Sequence, residues 1–350
     1  MHKPTILSRV LVLAALLYPP ATALAYEGEF LLFPSVTSLH RDPPVADHPK
    51  GEIYPSLDAF YSASHERLRF LVEFLASPGD SMVERMQIGW LPTASSTLWL
   101  GRFHNPLGYW NTEFHHGSYL TTSISRPGII YFEEHGGVLP MHLSGLLLEG
   151  STDTPVSYSL GMGISPRLGT TGLKPVETPH STKESGRFSA SAKLAYKPSA
   201  DSMDEFDIFT AYTRVPTENT SITGFTQTLA GVGVNQEFDR LRLIAELYVV
   251  HNRAEAASAT GGKTFTSGYV QAEYSIQAKW TLFGRVENTA NADGNPYLDL
   301  YPVFIRSRTL AGTRYALSRN QAFKLELSHN EHQDKSRSRQ LALEWSAVFP

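Results

Sequence analysis

The chain has 350 residues, with 30 Lys and Arg against 34 Asp and Glu, a formal net charge of −4 and no cysteine. No basic excess argues for nucleic acid, and an exported chain without cysteine takes no stability from disulfides. Beyond the N-terminus no apolar run approaches the ~20 residues of a spanning helix, so a place in a membrane requires a closed barrel, the other spanning structure that satisfies its own backbone.

The N-terminus reads as an export signal. His2, Lys3 and Arg9 form a short basic region, Val10 to Tyr18 is apolar but too short to span, and Pro19-Pro20 breaks it. Ala23-Leu24-Ala25 fits an A-x-A cleavage site, so residues 1–25 are expected to be a signal peptide and 26–350 a single domain. No cysteine stands near that site to take a lipid.

From Leu57 onward, segments of about ten residues with a period of two recur between turn residues, the signature of a transmembrane barrel. Leu68, Phe70, Val72 and Phe74 share one face and oppose Arg69 and Glu73. Leu241, Leu243, Ala245, Leu247 and Val249 oppose Arg242 and Glu246, and Phe323, Leu325 and Leu327 oppose Lys324 and Glu326. A soluble sandwich also alternates. These segments are longer than the usual ~5–6 residues of soluble strands, and aromatic residues such as Trp90, Tyr196, Tyr274, Trp280 and Tyr315 sit near their ends, as interface girdles require. Leu341, Leu343, Trp345, Ala347 and Phe349 alternate to the end of the chain.

Short turns are expected near His65, Pro92–Ser96, Ser151–Pro155, Lys197–Glu205, Gln236–Arg240, Gln277–Ala278 and Ser318–Asn320. Longer connections interleave with them: Ser77–Ser81, His104–Leu139, Pro166–Gly186, Val215–Ser221, His251–Lys263, Thr289–Pro302 and Asn330–Ser336. About 15 strands follow from Leu57, and bacterial barrels usually have an even number. Glu29–Ser35 supplies an upward strand before them, with Val36–Pro55 as the first external loop. The fold expected is an all-β transmembrane antiparallel up-and-down barrel of about 16 strands with a long, inward-folded third external loop at 104–139.

This organisation resembles that of the 16-stranded general and substrate-selective bacterial outer-membrane porins. The closing alternation on Phe349, followed by Pro350, resembles the C-terminal signal of outer-membrane proteins, and Gly101-Arg102-Phe103…Pro106-Leu107-Gly108 resembles a run found in several porin-like families. The resemblance implies location in the outer membrane of a Gram-negative bacterium, a third loop that narrows the pore, contact with outer-membrane lipid, passage of small hydrophilic solutes, and often a homotrimer. It implies no cofactor.

The loop's own composition supports an inward fold. Phe103, Leu107, Tyr109, Trp110, Phe114, Ile129 and Ile130 need something to pack against. Candidate constriction or lining residues are Arg102, Glu113, His115, His116 and Arg126, then Glu133, Glu134 and His135. From the wall, Arg285, Arg306 and Arg308 are expected to cluster; Lys193, Arg314 and Glu344 also face inward by parity. Rings of charge set selectivity in pores, so wall arginines facing loop acids would favour anions modestly.

Other readings remain open. His115-His116 with Glu133-Glu134-His135 offers metal-ligand types, but adjacent residues of an extended chain point to opposite sides. Ser118, Ser123 and Ser125 lie near these histidines without a G-x-S-x-G motif, so no enzyme is expected and no catalytic residue is assigned. Gly161-Met162-Gly163 and Gly231-Val232-Gly233 fall inside strands and read as barrel glycines. A non-conducting barrel that serves as a scaffold for a partner is the remaining alternative.

Overall fold

The structure is a computed structural model that describes residues 27–44, 49–78, 80–114, 117–133, 136–169, 172–174, 187–199, 202–217, 222–255 and 261–350. The expected signal peptide, 1–25, lies outside the described residues.

The chain forms strands β1 (Glu27–Asp42), β2 (Gly51–His65), β3 (Leu68–Ser77), β4 (Asp80–Thr93), β5 (Ser96–His104), β6 (His142–Ser151) and β7 (Val156–Ile164). A small ribbon of β8 (Arg167–Gly169) and β9 (Gly172–Lys174) follows. Then come β10 (Phe188–Tyr196), β11 (Glu205–Pro216), β12 (Gly224–Phe238), β13 (Leu241–Glu255), β14 (Gly262–Gln277), β15 (Trp280–Ala290), β16 (Ile305–Ser318), β17 (Gln321–His332) and β18 (Arg337–Ala347). All but β8 and β9 form one closed barrel in which each strand pairs with its neighbours in the chain and β1 pairs with β18. The barrel thus has sixteen antiparallel strands, the number that parity required. Closure leaves no edge strand with unpaired backbone.

Alternation decides which face meets the surroundings. On β17, Phe323, Leu325 and Leu327 are exposed, whereas Lys324 and Glu326 are buried, at 59% exposure for Leu327 against 1% for Glu326. The apolar face is the outer one and the charged face is the lumen, the reverse of a soluble core. Among the described residues no helix is long and apolar enough to cross a membrane; strands alone make the wall. Trp280 and Tyr315 pack together, with ring centroids 4.7 Å apart, beside a short turn.

Several boundaries differ from the expectation, among them His251–Lys263, where β13 runs on to Glu255. The first connection is 43–50, not Val36–Pro55, because β1 runs on to Asp42 and β2 begins at Gly51. Pro34 and Pro55 stand in register opposite Leu57 and Val36; each withdraws one N–H and the rest of the ladder continues. The β3–β4 connection is likewise shorter than Ser77–Ser81, since Ser77 pairs with Asp80.

β4 contains a bulge. Glu73 stands opposite Arg85 and Phe74 opposite Val83, so Glu84 is the extra residue. A bulge re-aims side chains, and Glu84 lines the lumen near Glu73. The buried state of the inward charges follows from what fills the lumen, namely the segment 105–141 between β5 and β6 and the segment 291–304 between β15 and β16. Tyr297 and Leu298 of the second segment have no exposed surface and share an apolar cluster with Phe225, Tyr248 and Trp110.

The outer face should tolerate charge poorly. Leu343→Arg on β18 is expected to cost about 2–4 kcal/mol if it lies near the bilayer midplane, read as reduced stability in denaturant titrations of the barrel folded into lipid vesicles.

Candidate functional site

The segment 105–141 enters the lumen at His104 and leaves it at His142. Among its described residues are one short helix, α1 (Gly108–Glu113), and single turns at Ser118–Leu120 and Gly128–Ile130. Such irregular backbone leaves many N–H and C=O groups without ladder partners, and away from water each needs another one. The wall supplies them. Glu246 Oε1 accepts from Trp110 N at 3.1 Å, while its Oε2 accepts from Tyr248 and Tyr269 hydroxyls. Asp58 accepts from Gly117 N at 3.0 Å, Glu287 from Gly128 N at 2.7 Å, and Glu326 from Ile124 N and Ser125 N at 2.9 and 3.2 Å. Cations complete the pattern by donating to loop carbonyls: Arg285 to Ser125 O at 2.7 Å, Lys324 to Ser118 O, and Arg308 to Arg126 O.

Two glycines allow the close approach. Gly108 has φ +78°, and a Cβ there would fall 2.3 Å from Glu246 Oε1. Gly117 has φ +40°, and a Cβ there would fall 2.3 Å from the Phe33 ring of β1. Both the left-handed backbone and the space favour glycine. The loop also reaches the turns at the opposite end of the barrel. Tyr119 Oη donates to Arg319 O of the β16–β17 turn at 2.6 Å, and Glu113 lies 3.5 Å from Lys197 of the β10–β11 turn.

The candidate residues separate into groups. Arg285 and Arg308 come together, both pairing with Glu287 at 2.7 Å and both almost fully buried. Arg285 also holds Ser123 Oγ and Gln271 Oε1, and Arg308 holds the Tyr131 hydroxyl. Arg306 does not join them; it falls at a register shift of β16 and forks onto Asp293 at 2.7 and 2.9 Å. Arg126 stacks 3.8 Å above the Phe132 ring and donates to Ile130 O and Asn111. Arg102 lies 3.8 Å from Glu84. Glu113 faces Lys197, away from the other loop acids.

Glu133 is buried within the loop's return. It accepts from Met141 N at 2.7 Å and His142 N at 2.9 Å, and faces the His142 ring. Burial pushes its carboxyl up, but the charge and hydrogen bonds of His142 outweigh that and hold it below the usual carboxylate range. His115, His116, Glu134 and His135 lie outside the described residues. Among the described residues no three His, Asp or Glu are arranged to hold a metal.

A cavity of about 740 Å³ remains between the loop and the wall of β1, β2 and β3. Its lining charges are mostly paired. Arg41 meets Glu52 at 2.7 Å, Arg85 meets Glu73 at 2.8 Å, and Lys324 meets Glu344 at 3.0 Å. Sequence reasoning missed Asp58, Glu84 and Glu287. The alternation of β2 and β15 could have flagged Asp58 and Glu287, but Glu84 turns inward through a bulge that alternation does not reveal.

No protein-family model matches the chain, and a search of curated proteins finds no match. Among solved structures it is similar to an anion-selective porin from Comamonas acidovorans, with TM-score 0.66, 10% identity, and coverage of 93% of this chain and 100% of that one. The outer-membrane channel DcaP of Acinetobacter baumannii matches with TM-score 0.63, 10% identity, and 94% and 99% coverage. A trimer form of OmpT, an outer-membrane protein of Vibrio cholerae, matches with TM-score 0.59, 11% identity, and 93% and 100% coverage. The fold is that of bacterial outer-membrane porins.

Two tests of the anchoring follow. Glu326→Ala leaves two loop N–H groups without their acceptor and should cost about 1–3 kcal/mol for each that stays buried, seen as faster amide exchange around Ile124 and Ser125 and lower stability in denaturant. Glu133 has a folded pKa below its unfolded one, so its contribution is present above the ordinary carboxylate range and is lost as pH falls through the folded value. Protection of the loop's return should therefore fall on acidification below the ordinary carboxylate range, and Glu133→Gln should flatten that acid transition.

Proposed function

We propose that the chain is an outer-membrane porin of a Gram-negative bacterium, through which small hydrophilic solutes diffuse passively past a constriction made by the loop 105–141. The observation that carries this reading is the cavity of about 740 Å³ left beside the loop in a closed sixteen-stranded barrel. A barrel of this size has a lumen too wide for wall side chains to fill, and here a loop occupies part of it.

Selectivity is weak. Unpaired rings of charge select ions, whereas Glu52, Glu73 and Glu344 of this cavity's lining each have a cation within 2.7 to 3.0 Å, Arg41, Arg85 and Lys324. An anion preference from Arg285 and Arg308 loses its support, because both guanidinium groups are committed to Glu287 and to the loop. The homotrimer belongs to the same proposal.

Two contacts favour a second reading, a barrel that does not conduct. The loop reaches across the lumen to β1 and β2, pressing Gly117 on Phe33 and donating to Asp58.

Planar-bilayer recordings separate the two. A porin gives discrete current steps that enlarge when Trp110–Glu134 is deleted, and a reversal potential near zero in a potassium chloride gradient. Absence of steps in the intact protein, with steps appearing on deletion, supports the scaffold; a large reversal potential of either sign defeats weak selectivity. Chemical cross-linking in detergent should give a trimer.

A further inference from the structure

His142 opens β6 with no exposed surface, and both its ring nitrogens face carboxylates. Nδ1 lies 2.9 Å from Glu133 Oε2, and Nε2 lies 3.0 Å from Glu84 Oε2. A neutral imidazole has one N–H, so it can donate to one of these groups and must turn a lone pair on the other. The imidazolium donates to Glu133 and places its charge 3.0 Å from Glu84 Oε2, an ion-pair contact without hydrogen-bond geometry. The two carboxylates belong to different parts of the molecule. Glu133 sits on the loop's return, and Glu84 is the bulged residue of β4 that lines the cavity.

The surroundings leave His142 as the cation placed between them. From β5, Arg102 lies 3.8 Å from Glu84, and the His104 ring meets the His142 ring edge-on at 5.2 Å. From β3 and β4, Glu73 is paired with Arg85 at 2.8 Å and lies 3.6 Å from His104 Nε2. From the loop, the Phe132 ring stacks 6.2 Å from His142. Without the imidazolium charge, Glu133 loses the cation beside it and Glu84 keeps only Arg102, at 3.8 Å, in a site that is almost fully buried. Removing one partner of a buried ion pair is strongly destabilising, because the charge left behind stays desolvated.

We propose that His142 is a positioning residue of the channel: as an imidazolium it bridges Glu133 to Glu84, fixes the loop's return against β4, and thereby sets the width of the cavity. Loss of its proton releases the loop. The effect on current rests on the porin reading; the bridge itself does not.

The experiment follows amide exchange of the segment 127–141, corrected for intrinsic exchange rates, and single-channel conductance. Both are measured on the barrel in lipid from neutral to alkaline pH. In the unsubstituted protein, protection is high at neutral pH and falls on alkalinisation, and the conductance step changes over the same interval. In His142→Gln the segment already exchanges at least about a hundredfold faster at neutral pH, the low end of what a broken buried ion pair gives, and the alkaline transition disappears. His142→Gln with Glu84→Gln regains part of the protection, because two carboxylates no longer repel each other across a neutral side chain and the amide introduced at position 142 can still donate to Glu133, while Arg102, deprived of its 3.8 Å partner, limits the recovery. Protection and pH profile unchanged in His142→Gln overturn the proposal, as does a double variant no better protected than the single one. Should His142→Gln fail to fold, the pH profile of the unsubstituted protein decides, and a flat profile overturns the bridge. Protection that follows the expected course with no current at any pH supports the bridge and counts against the porin reading instead.

Discussion

The structure depends on the hydrogen bonding of an irregular loop held inside a barrel. Backbone that is neither helix nor sheet carries one donor and one acceptor per residue, and burying them unpaired is costly. Here the wall's carboxylates accept the loop's N–H groups at Trp110, Gly117, Ile124, Ser125 and Gly128. The wall's cations donate to loop carbonyls at Ser118, Ser125 and Arg126. Hydrogen bonds to charged groups contribute roughly 1.5–3 kcal/mol each, about twice a neutral one, which suits a segment with little regular structure of its own. The loop's aromatic residues add an apolar contact: Trp110 packs edge-on to Tyr269 at 5.9 Å and lies beneath Arg285 at 5.4 Å.

This arrangement changes the meaning of the lumen charges. Arg285 and Arg308 would attract anions if they faced open water. Sharing Glu287 and holding the loop, they act as fasteners. Burying such a group is expensive unless every partner is in place, and here both guanidinium groups also have polar side-chain or backbone partners in the loop. Their charge is spent on the loop and on Glu287 rather than presented to the lumen.

The barrel's outer half obeys a simpler rule. A closed sheet satisfies its own backbone, so the outward side chains need only be apolar, and the chain can vary freely within that limit. That is the physical reason a porin fold persists at 10% identity to the Comamonas acidovorans structure. It also explains why architecture was legible from one sequence. The alternation in β13, β17 and β18 and the even strand number follow from the two-residue period of a strand and the requirement of closure.

The site was legible to a lesser depth. Composition marked residues 104–139 as a segment that needs apolar packing, and parity placed Glu246, Glu326 and Lys324 on the lumen face. Neither could say that Glu246 would meet Trp110 N, that Arg306 would turn to Asp293 at a register shift, or that a bulge would bring Glu84 in front of His142. Strand periodicity is local, a property of consecutive residues, and the amino-acid sequence by itself determined it, together with the barrel it implies. Which wall charge meets which loop amide depends on groups far apart in the chain, brought together by closure, bulges and the loop's path. Only the tertiary structure decided those pairings.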